Sequence, residues 1–262
     1  MYVKYRRSED MERWVGRVAL VTGASAGIGE ALVRKLAQLG MKVIGCARQT
    51  EKIETLKNEL KGIPGSITAI QCDVSKEEDI LAMFAKIRAE FGGVDVCVNN
   101  AGLAHPAPLL SGDTKMWRNM LDVNVLGLMI CCREAYKSMQ ERKVDDGHIF
   151  LLNSMSGHRM INDGNTHFYS ATKYAVTAIT EGLRNELRDV KSHIRVTAVS
   201  PGFVDTEFIL RMYEDEKRAE EVRKIRKNLQ PDDIADAIIY ALQAPQHVQV
   251  HDILMRPTEQ VS

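Results

Sequence analysis

The sequence predicts a doubly wound α/β domain, a parallel sheet of about seven strands with helices on both faces. Three observations carry this. Short β-branched runs alternate with longer helical segments along almost the whole chain. The runs are continuously apolar rather than alternating, as befits strands covered on both faces. A glycine-rich turn directly follows the first run, at the point where a helix begins.

Strand candidates lie at 17–21, 42–46, 67–71, 94–98, 148–152, 194–200 and 248–254. Helical periodicity covers 28–39, 50–60, 77–91, 114–140 and 170–188, with 232–242 before the last strand. Connections are brief and no low-complexity stretch divides them, so residues 1–262 are expected to form one domain. The irregular part is EDEKRAEEVRKIRKNLQ at 214–230. Its paired charges read as a solvated helix. Its place after a cofactor loop also suits a flap over a substrate, within a region of about 203–230.

Bulk properties exclude several functions. Lys plus Arg (35) equals Asp plus Glu (35), so no net field draws the chain to nucleic acid or anionic lipid. The five cysteines (Cys46, Cys72, Cys97, Cys131 and Cys132) form no Cys-x-x-Cys pair. They read as reduced core residues with no metal site, which points to the cytoplasm. No run reaches the ~20 apolar residues of a membrane span. The first apolar run reads as a strand entering the glycine turn, not as a signal peptide.

That turn is Thr22-Gly23-Ala24-Ser25-Ala26-Gly27-Ile28-Gly29. Glycines there let backbone N–H groups approach a pyrophosphate at a helix N-terminus. Strand, glycines and helix in that order therefore point to a dinucleotide. The second strand ends Cys46-Ala47-Arg48-Gln49. An acidic residue at that end would hydrogen-bond the ribose and repel a 2′-phosphate, whereas Arg48 suits one. NADP(H) is expected over NAD.

Two further segments suggest chemistry. Tyr169 and Lys173 in Tyr-Ser-Ala-Thr-Lys stand one helical turn apart on one face. A phenol normally titrates near ~10, and a nearby cation favours its phenolate, making Tyr169 a workable acid/base. Upstream, the fifth strand ends Asn153-Ser154-Met155-Ser156-Gly157. By itself Tyr-x-x-x-Lys is common, and only its context gives it weight.

The Thr-Gly-x-x-x-Gly-x-Gly spacing, Asp73-Val74, Asn99-Asn100-Ala101-Gly102, Asn124, the serine segment, Tyr-x-x-x-Lys and Pro201-Gly202 occur in an order that resembles the short-chain dehydrogenase/reductase family. The resemblance spans nearly the whole chain and implies a Rossmann-type fold. It implies catalytic Asn124, Ser154, Tyr169 and Lys173, with Ser156 as competitor to Ser154. Ser154 and Tyr169 would meet the substrate oxygen. It further implies that Gly23, Ser25, Gly27, Ile28, Gly29, Arg48, Gln49, Asp73, Val74, Asn100, Tyr169, Lys173, Val204 and Thr206 hold the cofactor. Asn124 would hold a water in a proton relay, and the 201–206 turn would cradle the nicotinamide carboxamide.

Segments such as NNAGLA, NSMSGHR and THFYSATKYAVTA resemble a narrower branch that acts on steroids and isoprenoid alcohols. That implies interconversion of ketones and alcohols on apolar molecules, as ketosteroid reduction or as oxidation of farnesol. A non-catalytic NADPH-binding regulator is the third alternative, disfavoured by the four intact catalytic residues. Phe168, Phe208, Ile209, Leu210, Met212 and Tyr213, with His158 and Met160, form a candidate apolar wall. With Tyr169 available, His158 and His167 are not needed as acid/base groups. Family relatives join subunits through the helices at 114–140 and 170–188, so a homodimer or homotetramer is expected.

Overall fold

The computed structural model describes residues 9–213, 215–224 and 227–260. Seven strands form one parallel sheet: β1 (Val18–Thr22), β2 (Lys42–Ala47), β3 (Ser66–Gln71), β4 (Val96–Asn99), β5 (His148–Leu152), β6 (Arg195–Pro201) and β7 (Asp252–Met255). Their order is β3-β2-β1-β4-β5-β6-β7. The chain winds outward from β1 to β3, crosses back, and winds outward again from β4. Between β1 and β4 the direction of winding reverses, which opens a crevice at the carboxyl ends of the strands.

The helices are α1 (Gly27–Gln38), α2 (Glu51–Glu59), α3 (Glu77–Phe91), α4 (Thr114–Leu121), α5 (Leu128–Glu141), α6 (His167–Asp189), α7 (Glu207–Tyr213), α8 (Glu216–Lys224) and α9 (Pro231–Gln243). Two apolar cores sandwich the sheet. On one face, Leu32 and Leu36 of α1, Ile53 of α2 and Ile234 and Ile238 of α9 pack against Val21, Val43 and Phe150. On the other, Ile80 and Ile87 of α3, Cys131 and Cys132 of α5 and Val176 of α6 pack against Leu20, Ile44 and Ile149. All five cysteines are free and buried. No helix among the described residues is long and apolar enough to cross a membrane.

Several expected boundaries shift for identifiable reasons. The fourth strand, expected at 94–98, enters the ladder at Val96, just after Asp95, whose carboxylate accepts the Val18 N–H at 2.8 Å. The last strand, expected from 248, begins at Asp252. Ahead of it, side chains make the cross-links: Gln249 accepts the Val196 N–H at 3.0 Å and Thr197 donates to the Val250 carbonyl at 2.6 Å. The helix expected at 114–140 is interrupted by a π-helical turn, Asp122–Gly127. There a Cβ on Gly127 would lie 2.1 Å from the Val74 carbonyl oxygen, so only glycine lets this turn press on the loop after β3.

The charged 214–230 stretch is not one helix. It contains α8, while Glu214, Ile225 and Arg226 lie outside the described residues. Beyond α8, Leu229 bridges Val204 in parallel, its N–H donating to the Phe203 carbonyl at 3.1 Å. That contact ties the far end of the segment to the turn after β6.

Candidate active site

The crevice holds a cavity of about 310 Å³ lined from both halves of the sheet. Gly23, Ser25, Gly27 and Ile28 come from the β1–α1 turn, and Arg48 from the end of β2. Asp73 and Val74 follow β3, Asn100 follows β4, and Val204 and Thr206 follow β6. Ser154, Tyr169 and Lys173 close one end.

The glycine turn has the geometry of an anion cradle. Gly23 and Gly27 have φ of +65° and +57°, conformations that favour glycine. A Cβ on Gly27 would stand 3.0 Å from Thr206 Cγ2, so the two halves of the crevice meet there. No side chain caps α1 behind Ala26, leaving the helix N-terminus to the crevice. Arg48 is exposed at the rim, where a charged group can reach a 2′-phosphate. These features fit a pyrophosphate carrying a phosphorylated adenosine.

Not every expected ligand touches the cavity. Gln49 and Gly29 are absent from its lining. Gly29 serves packing instead, since a Cβ on it would fall 2.2 Å from the Gly23 carbonyl oxygen. Asn100 lines the cavity, yet its amide braces the glycine turn by donating to the carbonyls of Thr22 (2.8 Å) and Gly23 (3.1 Å). Asp73 accepts from the Ser75 N–H (3.0 Å) and hydroxyl (2.7 Å), a local turn rather than a cap of α3. Burial pushes its carboxyl up, but those bonds and the charges of Arg48 and Lys76 outweigh this and hold it below the usual range.

The chemical end is built on α6, which starts at His167, earlier than expected, and so carries Tyr169 in its first turn. Tyr169 and Lys173 are each about 5% exposed. The Ser154 hydroxyl, at the foot of a 3-10 turn after β5, lines the cavity with Tyr169 and favours the ionised form of its phenol. Ser156 is buried in that turn and its N–H donates to Ser154 Oγ at 3.1 Å. The lysine ammonium lies 5.8 Å from the tyrosine ring centroid and donates to the Leu152 carbonyl at 2.7 Å.

The electrostatics differ from the sequence expectation. Burial raises the Tyr169 phenol to about 12 despite the opposing Ser154 bond, and burial lowers Lys173 to about 8. Desolvation dominates both groups because neither faces bulk water. The free site therefore holds a protonated phenol ready to donate beside a lysine close to losing its charge.

Asn124 is fully buried behind the cavity, in the π-helical turn. Its amide accepts the Leu103 N–H and donates to the Leu103 carbonyl, both at 2.8 Å, and donates to Thr172 at 3.1 Å. Gly102 lies between Asn124 and the lysine. A Cβ there would be 3.5 Å from Asn124 Oδ1 and 3.8 Å from Lys173 Nζ.

Around Tyr169 a third apolar cluster gathers Met212, Phe168, Phe208 and Tyr213 from the expected wall. The Tyr169 and Phe208 rings are 5.7 Å apart. Ile209 also lines the cavity, whereas Leu210 and Met160 are exposed. His158 is engaged with Ser200 (3.0 Å) and Asp252 (3.2 Å), and His167 with the Ile161 carbonyl (3.2 Å). Leu103, Ala104, Ala107, Met116, Trp117 and Met120 complete the cluster and were not anticipated. Trp117 stacks on Phe168 at 5.3 Å. In sequence they look like ordinary helix and loop apolar residues; only their convergence on Tyr169 marks them.

Comparison with known proteins agrees with this geometry. A family model described as short chain dehydrogenase matches residues 17–217. Dehydrogenase/reductase SDR family member 11 of Gallus gallus is 58% identical, covering 96% of this chain and all of that protein. Farnesol dehydrogenase of Aedes aegypti is 46% identical, covering 94% and 98%. A solved closed form of serine dehydrogenase complexed with NADP+ superposes with a TM-score of 0.85 at 34% identity, covering 94% and 96%. With a matched family model over most of its length and full-length relatives, the chain belongs to the short-chain dehydrogenase/reductase family of oxidoreductases.

Proposed function

We propose that this oxidoreductase uses NADP(H) to interconvert ketones and alcohols on apolar molecules, with ketosteroid reduction as its main reaction. The observation that carries the reading is the apolar, aromatic cluster built around the buried Tyr169, with the half-buried Ser154 lining the same cavity. A flat ring system such as a steroid can lie against Phe208, Ile209 and Met212, which line the cavity, with Trp117 and Phe168 packed in the cluster behind, while its oxygen reaches the two hydroxyls. The uncapped helix α1, the glycine turn and Arg48 support NADP(H), as does the serine dehydrogenase neighbour complexed with NADP+.

When bound, the nicotinamide supplies or accepts the hydride. In reduction, Tyr169 donates its proton to the carbonyl oxygen. Ser154 hydrogen-bonds the same oxygen and stabilises charge developing there. Lys173 favours the phenolate left behind, and Asn124, behind it, would hold a water through which the proton returns. Val204 and Thr206 would hold the carboxamide end, and Asp73 and Val74 the adenine end.

The reading extends to the whole molecule as one domain working in the cytoplasm as a homodimer or homotetramer, with 203–230 closing over the substrate. Oxidation of farnesol is the second reading, supported by the name of the Aedes relative. Purified protein mixed with NADPH and steroid ketones, or with NADP+ and farnesol, distinguishes them by the change in nicotinamide absorbance. Faster turnover of farnesol than of any steroid ketone overturns the first reading. No turnover of either, with NADPH still bound, favours a regulator.

A further inference from the structure

The segment that follows β7 returns to the crevice, and one of its side chains sits where two active-site loops meet. Gln260 is 4% exposed and lines the same cavity as Ser154 and Tyr169. Its side-chain oxygen accepts the Phe203 N–H at 3.0 Å, and its amide nitrogen faces Met155 Sδ at 3.6 Å. A buried amide needs such partners, and these belong to different elements. Phe203 lies in the turn after β6, and Met155 adjoins Ser154.

The approach is close enough to dictate a glycine. A Cβ on Gly202 would fall 2.3 Å from Gln260 Oε1, 2.9 Å from Arg256 Cβ and 3.0 Å from Met155 Sδ. The Gly202 N–H donates to the Met255 carbonyl at 2.7 Å, extending the β6–β7 pairing into the turn. Gln260 holds its own place through an N–H bond to the Pro257 carbonyl at 3.0 Å. Past Gly202, the Phe203 N–H goes to this side chain.

We propose that Gln260 is a positioning residue for hydride transfer, its carbonyl oxygen fixing the 201–204 turn against Met155 and so setting how a nicotinamide lies beside Ser154 and Tyr169. The proposal rests on the reading that this turn cradles the nicotinamide. Gln260 donates no proton and meets no reacting atom. It fixes the distance between the loop behind the hydride donor and the loop bearing the serine. Hydride transfer is steep in distance, so a loosened turn lowers turnover without touching the adenosine end.

Gln260→Met keeps the volume and loses the acceptor. The probes are NADPH with a ketone, and 2′-phospho-ADP-ribose, which lacks the nicotinamide. The expected result is a fall in kcat of about tenfold to a hundredfold, with 2′-phospho-ADP-ribose affinity unchanged. Gln260→Glu retains an acceptor oxygen in either protonation state and is expected to return kcat to within about threefold of the parent. Should the methionine variant not fold, Gly202→Ala, whose methyl displaces the same oxygen, is expected to show the same split. A folded Gln260→Met enzyme with parental kcat overturns the proposal. So does an equal loss of affinity for both ligands, or a folded Gln260→Glu enzyme as slow as the methionine variant. An unmutated protein that turns over no ketone in this assay instead overturns the functional reading beneath it.

Discussion

Raising the pH through about 8 strips the proton from Lys173, whose burial has brought it down from 10.5. Over the same range Tyr169, held near 12, keeps its proton and remains able to donate. What changes is the field acting on the phenolate that reduction leaves behind. At 5.8 Å from the ring centroid, and with an effective dielectric of ~20, the ammonium stabilises that anion by about 3 kcal/mol. Losing it should slow the proton-donating step by roughly a hundredfold. The expected profile for carbonyl reduction is a flat kcat/KM below about 8, then a fall of about tenfold per pH unit toward a plateau. Unfolding does not explain such a fall. The folded lysine has a lower pKa than the unfolded one, so between about 8 and 10.5 the unfolded chain binds the extra proton and this group makes folding more favourable as pH rises. Steady-state turnover of a ketone with NADPH from pH 6 to 10, with far-UV circular dichroism at each point, checks both halves. A kcat/KM that stays flat to pH 10 while the fold persists would refute the assigned role of the lysine charge.

Three further outcomes are expected. Tyr169→Phe removes the donated proton and should lower turnover by roughly 10²–10⁴-fold with NADPH affinity unchanged, as read by fluorescence titration. Arg48→Ala should weaken NADPH binding by about 1.5–3 kcal/mol while leaving NADH kinetics as they were; Arg48 is exposed, which keeps the loss below that of a buried pair. Equal losses with both cofactors would reassign the residue. Phe208→Ala deletes a cavity-lining ring 5.7 Å from that of Tyr169 and should lower kcat/KM for a steroid ketone by about 1–3 kcal/mol without altering cofactor affinity.

Much of the site was legible because its chemistry is local. Gly23 and Gly27 need positive φ, and Tyr169 and Lys173 share a face at one-turn spacing whatever surrounds them. Arg48 could be singled out because the end of β2 is a defined place in any doubly wound sheet. The choice between Ser154 and Ser156 could not be made locally, since both sit in a short turn. Both line the cavity, and the fold leaves Ser154 half-buried and acting on the Tyr169 phenol while Ser156 is buried, which favours the first as a candidate. Asn100 and Gly29 illustrate the opposite case. They are recognisable by motif, but the fold uses the first to brace the glycine turn and the second to admit a backbone carbonyl.

Sequence alone determined the alternation of apolar runs and helices, and with it the parallel sheet and the crevice where its winding reverses, because strand burial and handed crossovers leave few other arrangements. Only the tertiary structure decided the ionisation of Tyr169 and Lys173. A phenol and an ammonium four residues apart titrate according to how much water reaches them, and α6, β5 and the aromatic wall exclude it. Likewise Gln260 reached the active site through packing across a separation of 105 residues from Met155, a proximity that no local pattern encodes.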